Sequence, residues 1–448
     1  MKILLINEKN EIINSILQRA ILVGMNTGSR DEVTSIENSM EELKELAEAA
    51  GAQVLHTMIQ NKQKIDSTYF IGKGKADEIK ILSDELGANL VIFNDELSGA
   101  QIRNLEERIE VIVIDRATLI LDIFAQRAQS MEGKLQVELA QLKYRLPRLI
   151  GLGRSLSRTG AGIGTRGPGE KKLELDRRHI LDRINDIKKE IEDIKKVRDV
   201  QRTKRKKSEI PIVALVGYTN AGKSTIMNKL IEKSGGQEEK AVYVEDMLFA
   251  TLDTSHRKMT LQTNEEFILI DTVGFVSKLP HGLIDAFKAT LEEVQHANLL
   301  LHVIDATNEN HEMQIKVTEH VLTELNAKDR PTIMIYNKMD KLVHNEITLP
   351  SGENIIHLSA EKGIGVDHLL EQIKVMLFSE NKRVTLLLPY DKGSIASHLC
   401  DKTRICSTEY LENGIMIETH LSPGDFNKYS EYIISSANGI TDETNKVL

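Results

Sequence analysis

Lys223 and Ser224 close an apolar run and a glycine turn, IVALVGYTNAGKS from Ile212 to Ser224, and this spacing suits a phosphate chain. Gly217 and Gly222 let the backbone curl around Tyr218, Thr219, Asn220 and Ala221 so that successive amides point at phosphate oxygens. Lys223 can then reach the β- and γ-phosphates, and Ser224 can offer its hydroxyl to Mg²⁺. A helix starting near Lys223 would add the positive end of its dipole. Some fifty residues on, FILIDTVGF (267–275) reads as a buried strand ending in Asp271, a carboxylate that can hold Mg²⁺ through water. Behind Thr272 and Val273, the Gly274 amide is placed to sense a γ-phosphate. TIMIYNKMD (332–340) sets Asn337, Lys338, Met339 and Asp340 just past another apolar strand, where ligands sit in doubly wound sheets. The Asp340 carboxylate can accept from both the N1 and N2 donors of guanine. Adenine lacks that pair and would leave a buried carboxylate unpaired at a cost of about 1–3 kcal/mol, so the expected base is guanine. A last strand, from Ile355 to Leu358, delivers the backbone of Ser359 and Ala360 toward the guanine O6.

These motifs stand in the order a guanine-nucleotide switch requires. GYTNAGKS, LFATLD, DTVGF followed by LPHGLIDAFKATLEE, and NKMD resemble the HflX family of GTPases, in the Obg-HflX superfamily of the TRAFAC class. The resemblance implies that GTP is substrate and GDP product, with Mg²⁺ as cofactor. It also implies a first switch at Phe249, Ala250, Thr251, Leu252 and Asp253. There Thr251 is the Mg²⁺ ligand, joined by Ser224 and by Asp271 through water, and Thr254 is its neighbouring rival. Lys223, Thr251, Gly274 and Asn220 would form the catalytic set. Asn220 resembles the asparagine by which related GTPases hold K⁺ in place of an arginine finger, although asparagine also serves loops structurally. Where Ras-like proteins orient the attacking water with glutamine, this chain has Phe275, which cannot do so. Slow basal hydrolysis, stimulated by the ribosome, is the expectation. By the same resemblance the partner is the large ribosomal subunit with its rRNA, and the function is to split or rescue stalled ribosomes. Two alternatives stand beside it: an assembly GTPase acting on free large subunits, and a GTP-dependent regulatory switch that recruits a protein partner.

A chain of 448 residues needs more than one core to hold these motifs. The expected fold class is α/β. A P-loop GTPase domain over 209–380 follows an N-terminal α/β subdomain over 1–121 and a long helical hairpin with a glycine-rich tip over 122–208, and a small C-terminal αβ domain over 381–448 closes the chain. Alternation of strands (Ile21 to Met25, Gln53 to Met58, Leu90 to Phe93, Val111 to Ile114) with helices predicts a mostly parallel first sheet. Within it IGKGKADEI, from Ile71, resembles a phosphate loop at a glance but lacks the full spacing and the Lys-Ser/Thr pair.

In the hairpin, Leu135, Leu139, Leu142, Leu146 and Leu149 face Ile180, Ile184, Ile187, Ile191 and Ile194 as two apolar seams. The segment joining them, Gly151 to Glu170, is rich in glycine and carries Arg154, Arg158 and Arg166, which suits phosphates and unpaired bases of RNA. A flexible connector is the plainer alternative, and a dinucleotide loop fails because no strand precedes the glycines. Its GTRGPGE…LE.DRR pattern again resembles HflX. TKRKK (203–207) reads as a charged linker.

The net charge of −9 hides an asymmetry. Residues 143–207 hold 21 Lys and Arg against 9 Asp and Glu, a local +12, which leaves −21 for the rest and points to a polyanionic partner for this module. No apolar run approaches a membrane span and no signal segment is evident, so a cytoplasmic monomer is expected. Cys400 and Cys406 have no zinc spacing and read as reduced thiols, and His311-Glu312 lacks the second histidine of a zinc helix.

Overall fold

The computed structural model describes residues 17–28, 35–156, 168–206, 210–234, 249, 255–278, 293–342 and 349–437. Contacts gather the chain into two compact units. The first comprises the described parts of Met1–Asp199, Glu245–Asp253 and Val273–Leu291, and the second those of Val200–Val244, Thr254–Thr272 and Glu292–Leu448.

The first unit opens with a parallel four-stranded sheet. Its strands are β1 (Arg19–Asn26), β2 (Gln53–Asn61), β3 (Leu90–Phe93) and β4 (Ile112–Asp115), in the order β2-β1-β3-β4. Helices α1 (Ile36–Ala49), α2 (Lys73–Leu86) and α3 (Gly99–Ile109) cover it, as right-handed crossovers between parallel strands require. Ser98 and Gln101 form a reciprocal capping box that starts α3. The stretch that resembled a phosphate loop is the start of α2: Gly72 is its N-cap at an ordinary φ of −70°, and the Gly72 amide donates to Gln60 Oε1 at 2.9 Å. Asp115 caps α4 (Arg116–Arg127) by accepting from the Thr118 amide, and is itself fully buried. Its other oxygen accepts from the Leu97 amide, from the Tyr144 hydroxyl at 2.5 Å and from Arg148 Nη2 at 2.9 Å, which fastens the hairpin to the sheet. Burial, together with the Asp115 charge, pushes the Tyr144 hydroxyl far above its usual range.

The hairpin pairs α5 (Met131–Leu156) with α6 (Pro168–Lys206). Leu135, Leu139, Ile184 and Ile187 are buried in its seam, flanked by Leu142, Leu146, Ile180, Ile191 and Ile194. The helices run antiparallel, since Glu138 meets Arg183 and Glu132 meets Arg198. Two elements are longer than the pattern suggested. α5 enters the glycine-rich stretch as far as Leu156, and α6 runs on through most of the TKRKK linker, because leucine, lysine and arginine are good helix formers. Arg154 lies on the last turn of α5, its side chain outside the described residues, as are Arg158 and Arg166 altogether.

In the second unit β5 (Ile212–Gly217), β6 (Ser255–Thr260), β7 (Glu266–Asp271), β8 (Leu299–Asp305), β9 (Thr332–Asn337) and β10 (Ile355–His357) form one sheet, β10-β9-β8-β5-β7-β6. Every pair is parallel except β6 with β7. Helices α7 (Lys223–Lys233), α8 (His311–Glu324) and α9 (Val366–Phe378) complete the layers, and the main core lies between the sheet and α7 and α9. The chain then forms β11 (Lys382–Leu388), α10 (Gly393–Lys402), β12 (Ile405–Leu411), β13 (Gly414–Leu421), α11 (Pro423–Lys428) and β14 (Ile433–Ala437). These strands make an antiparallel sheet, β12-β13-β11-β14, with its own small core around Leu386, Leu399 and Ile417. Cys400 and Cys406 are both free thiols.

Candidate nucleotide-binding site

The sequence order reverses at β5, which has the later β8 on one side and β7 on the other, so the crevice beyond its C-terminal end is where a doubly wound sheet takes its ligand. The loop from Gly217 to α7 occupies that point. Gly217 has φ +144°, and a Cβ there would lie 2.2 Å from the Val303 carbonyl oxygen. Gly222 has φ +95°, and a Cβ there would lie 2.2 Å from Asn337 Nδ2. Both positions therefore exclude side chains. Asn220 is exposed at φ +59°, a conformation that asparagine tolerates better than most residues. Tyr218, Thr219 and Ala221 are buried.

Lys223 sits at the start of α7 and donates from Nζ to the carbonyls of Gly217, at 3.1 Å, and Tyr218, at 2.7 Å. Desolvation of the buried ammonium pulls its pKa down to about 8, against the opposing charge of Asp271. Ser224 Oγ donates to Asp271 Oδ2 at 2.6 Å, and Thr272 Oγ1 donates to the Leu215 carbonyl, tying the end of β7 to β5. A hydroxyl and a carboxylate side by side at a helix N-terminus are the hard oxygen donors that Mg²⁺ takes, so these residues fit the ion.

Asn337 is 2 % exposed and joins three segments. Its Nδ2 donates to the Ala221 carbonyl at 2.9 Å, and its Oδ1 accepts from the Ala360 amide at 3.0 Å. Asp340 accepts from Ser359 Oγ at 2.5 Å, a bond that holds its carboxyl below the usual range and leaves it ionised at neutral pH. Met339 partly packs on Tyr336 and Leu342. The structure thus brings together Gly217 to Ser224, Asp271, Thr272, Asn337 to Asp340, Ser359 and Ala360 at one edge of one sheet. In the first unit, Val273, Gly274 and Phe275 are buried, as is Phe249, while Ala250, Thr251, Leu252 and Asp253 lie outside the described residues. One residue escaped the motif reading: Asp305, at the end of β8, holds Lys338 Nζ at 2.7 Å, with Lys338 itself at φ +64°. The apolar run LLLHVID ends in Asp305 just as FILID ends in Asp271, and that parallel was the available signal.

Comparison with known proteins gives the same answer as the geometry. Residues 37–125 match the family model described as GTP-binding GTPase N-terminal, 127–205 the GTP-binding GTPase middle region, and 212–338 the 50S ribosome-binding GTPase. A protein named GTPase HflX from Caldanaerobacter subterraneus is 51% identical over 419 residues, 93% of this chain and 94% of the relative. The chain belongs to the HflX family of GTPases. Another member, GTPase HflX of Escherichia coli, is 44% identical over 80% of this chain and 83% of its own length. Among solved structures, a GTP-binding protein from Sulfolobus solfataricus in complex with GDP is 25% identical, covering 81% of this chain and 99% of that one at a TM-score of 0.41, a loose likeness. As an HflX-family GTPase the chain binds GTP. Among the described residues no helix is long and apolar enough to cross a membrane.

Proposed function

We propose that this GTPase acts on the large ribosomal subunit, splitting or rescuing stalled ribosomes, and that its hairpin supplies the RNA contact. The observation that carries this reading is the hairpin itself. A buried leucine and isoleucine seam holds helices of 26 and 39 residues, about 39 and 58 Å long, in a segment of local charge +12. A stiff cationic arm reaches into a folded polyanion rather than resting on a protein surface, and Arg154, Arg158 and Arg166 are its expected phosphate contacts. The matched 50S ribosome-binding family model supports the same partner.

At the nucleotide site, Lys223 would neutralise the β- and γ-phosphates and Asp340 would select guanine. Mg²⁺ would be held by Ser224 and Thr251, with Asp271 behind water, and would supply positive charge at the phosphate oxygens as bonds rearrange. Phe275 is buried and presents no polar group to water, so basal turnover is slow and the ribosome supplies the missing stabilisation. K⁺ at Asn220 is one candidate source, which equal turnover in KCl and NaCl would remove. The four-part division at 121, 208 and 380 and a monomeric, cytoplasmic protein complete the proposal.

Sedimentation with purified 70S ribosomes under GTP, GDP and a non-hydrolysable analogue tests the reading. Appearance of free subunits with GTP is the expected result. Binding to free 50S alone would favour the assembly role, and no binding in any state would leave a protein-recruiting switch.

A further inference from the structure

The first unit holds a buried polar cluster that the nucleotide chemistry does not use. Arg116, at the start of α4 and 2 % exposed, donates from Nη2 to Glu42 Oε2 at 2.5 Å, to the Ser277 carbonyl at 3.2 Å and to Ser277 Oγ at 3.1 Å. Its Nη1 donates to Asn94 Oδ1 at 2.9 Å and to the Ser39 carbonyl at 3.3 Å. Glu42 in turn accepts from the Ser277 amide at 3.2 Å and from the Ser277 hydroxyl. Next door, Lys278 Nζ pairs with Asp95 Oδ1 at 2.7 Å. Two turns along α4, the Phe124 ring meets Phe249 edge-on, with centroids 4.5 Å apart.

Ser277 and Phe249 are not arbitrary positions. Ser277 is three residues past Gly274 and Phe249 is two residues before Thr251, so each anchor lies beside a segment that must respond to the γ-phosphate. The described parts of both segments, Phe249 and residues 273–278, cluster with the first unit. We infer that α4, with Glu42 of α1, is a receptor for both switch segments, and that Arg116, Glu42 and Phe124 are positioning residues that set the switches for GTP hydrolysis.

Switch segments are ordinarily ordered only by γ-phosphate and Mg²⁺, and ordering them at that moment costs conformational entropy. Anchoring each segment on a rigid helix removes part of that cost before GTP arrives. The chemistry of the anchor argues against mere packing. An apolar residue at 277 would bury as well without desolvating two charges, whereas the Arg116 fork reads a carbonyl and a hydroxyl together and fixes the register of the segment. Lys278, at φ +52°, stands in a turn directly after the anchor.

The inference rests on the chain hydrolysing GTP, and one arm of the test is independent of turnover. In the full-length protein bound to GDP, hydrogen exchange of the amides at 274–278 is measured for the parent, Ser277→Ala and Glu42→Gln. Exchange at least about tenfold faster in both variants is expected, and unchanged exchange would refute the anchor. Single-turnover GTP hydrolysis is then read together with GDP affinity. Ser277→Ala and Phe124→Leu should each lower the rate several-fold, with GDP affinity within about twofold of the parent, and Ser277→Thr, which keeps the hydroxyl, should restore it. Faster hydrolysis in Ser277→Ala would make the cluster an inhibitory clamp and overturn the positioning role, as would an unchanged rate. A parent without turnover would fail the GTPase reading and leave the exchange result to decide the anchor.

Discussion

The two parallel sheets of this chain are wound by one rule, yet their strand-end crevices hold different things. In each, the strand order reverses beside the first strand, at β1 in one and β5 in the other, and polar residues gather beyond the C-terminal ends. Beyond β5 two glycines at φ +144° and +95° open a backbone cradle, the candidate phosphate position, where Lys223 Nζ donates to the Tyr218 carbonyl. Beyond β3 and β4 no such cradle forms. Asn94, Arg116 and Glu42 converge instead on a peptide segment of the same chain, at Ser277. The difference teaches that a doubly wound topology offers a ligand position without choosing the ligand. Positive-φ glycine with a lysine at a helix start suits the position to phosphate, and a buried arginine-carboxylate fork suits it to a peptide segment.

The sharpest way to break this contrast is Lys223→Ala. Loss of charge-assisted bonds to the β- and γ-phosphates should weaken GTP more than about a hundredfold, and GDP, which offers only the β-phosphate, about tenfold or more, since each such bond contributes about 1.5–3 kcal/mol. Because Gly72 caps a helix and its amide is engaged by Gln60, the same variant should bind no ATP either. Retained ATP binding, by equilibrium dialysis, would return a nucleotide to the first sheet.

The matching cut in the peptide crevice is Arg116→Ala. Removing Arg116 takes the guanidinium away from the Glu42 carboxylate in a pair largely withdrawn from solvent, so the first unit should lose about 3–5 kcal/mol of stability in urea titration. Arg116→Ala with Glu42→Ala should cost much less than the two singles summed. Additive losses would mean that the pair is not the unit of interaction.

Smaller again is Asp340→Asn, which exchanges a double acceptor for an amide that matches xanthine. GTP affinity should fall by about 1–3 kcal/mol and XTP should gain, as competition against a fluorescent nucleotide would read. Equal GTP affinity in variant and parent would detach base choice from the Ser359-oriented carboxylate.

How much of this contrast was legible in the sequence follows from what each site is made of. The phosphate cradle is local: thirteen consecutive residues, Ile212 to Ser224, contain the strand, the glycines and the lysine. The hairpin seams were also readable, because a four-and-three spacing of Leu and Ile survives as a pattern. The peptide crevice was not. Glu42, Arg116 and Ser277 are 74 and 161 residues apart in sequence, and each looks like an ordinary surface polar residue until the fold buries it. Asn337 shows the intermediate case, since NKMD marked it for the base while its bonds to Ala221 and Ala360 make it a brace between loops. The linker TKRKK was read by its charge alone, which did not show that the helix α6 runs on to Lys206, lysine and arginine being good helix formers.

The last prediction uses Lys223, the cation buried in the candidate phosphate crevice among the described residues. Lys223 has its pKa drawn down to about 8 by desolvation, so in the free protein it loses its proton as pH rises through 8. A bound β-phosphate stabilises the ammonium and restores a high pKa, so the nucleotide complex keeps the proton that the free protein gives up. Binding above pH 8 therefore takes up a proton, and apparent affinity must fall as pH rises. Between pH 7 and 8.5, below the range in which guanine N1 ionises, the linkage amounts to about fourfold weaker GDP binding. Calorimetry in buffers of different ionisation heat should show uptake approaching one proton at the upper pH and little at the lower. Lys223→Arg, whose guanidinium stays charged throughout, should flatten the profile even if its absolute affinity is lower. A pH-independent GDP affinity in the parent would mean that the ammonium is already satisfied by the carbonyls of Gly217 and Tyr218 before phosphate arrives.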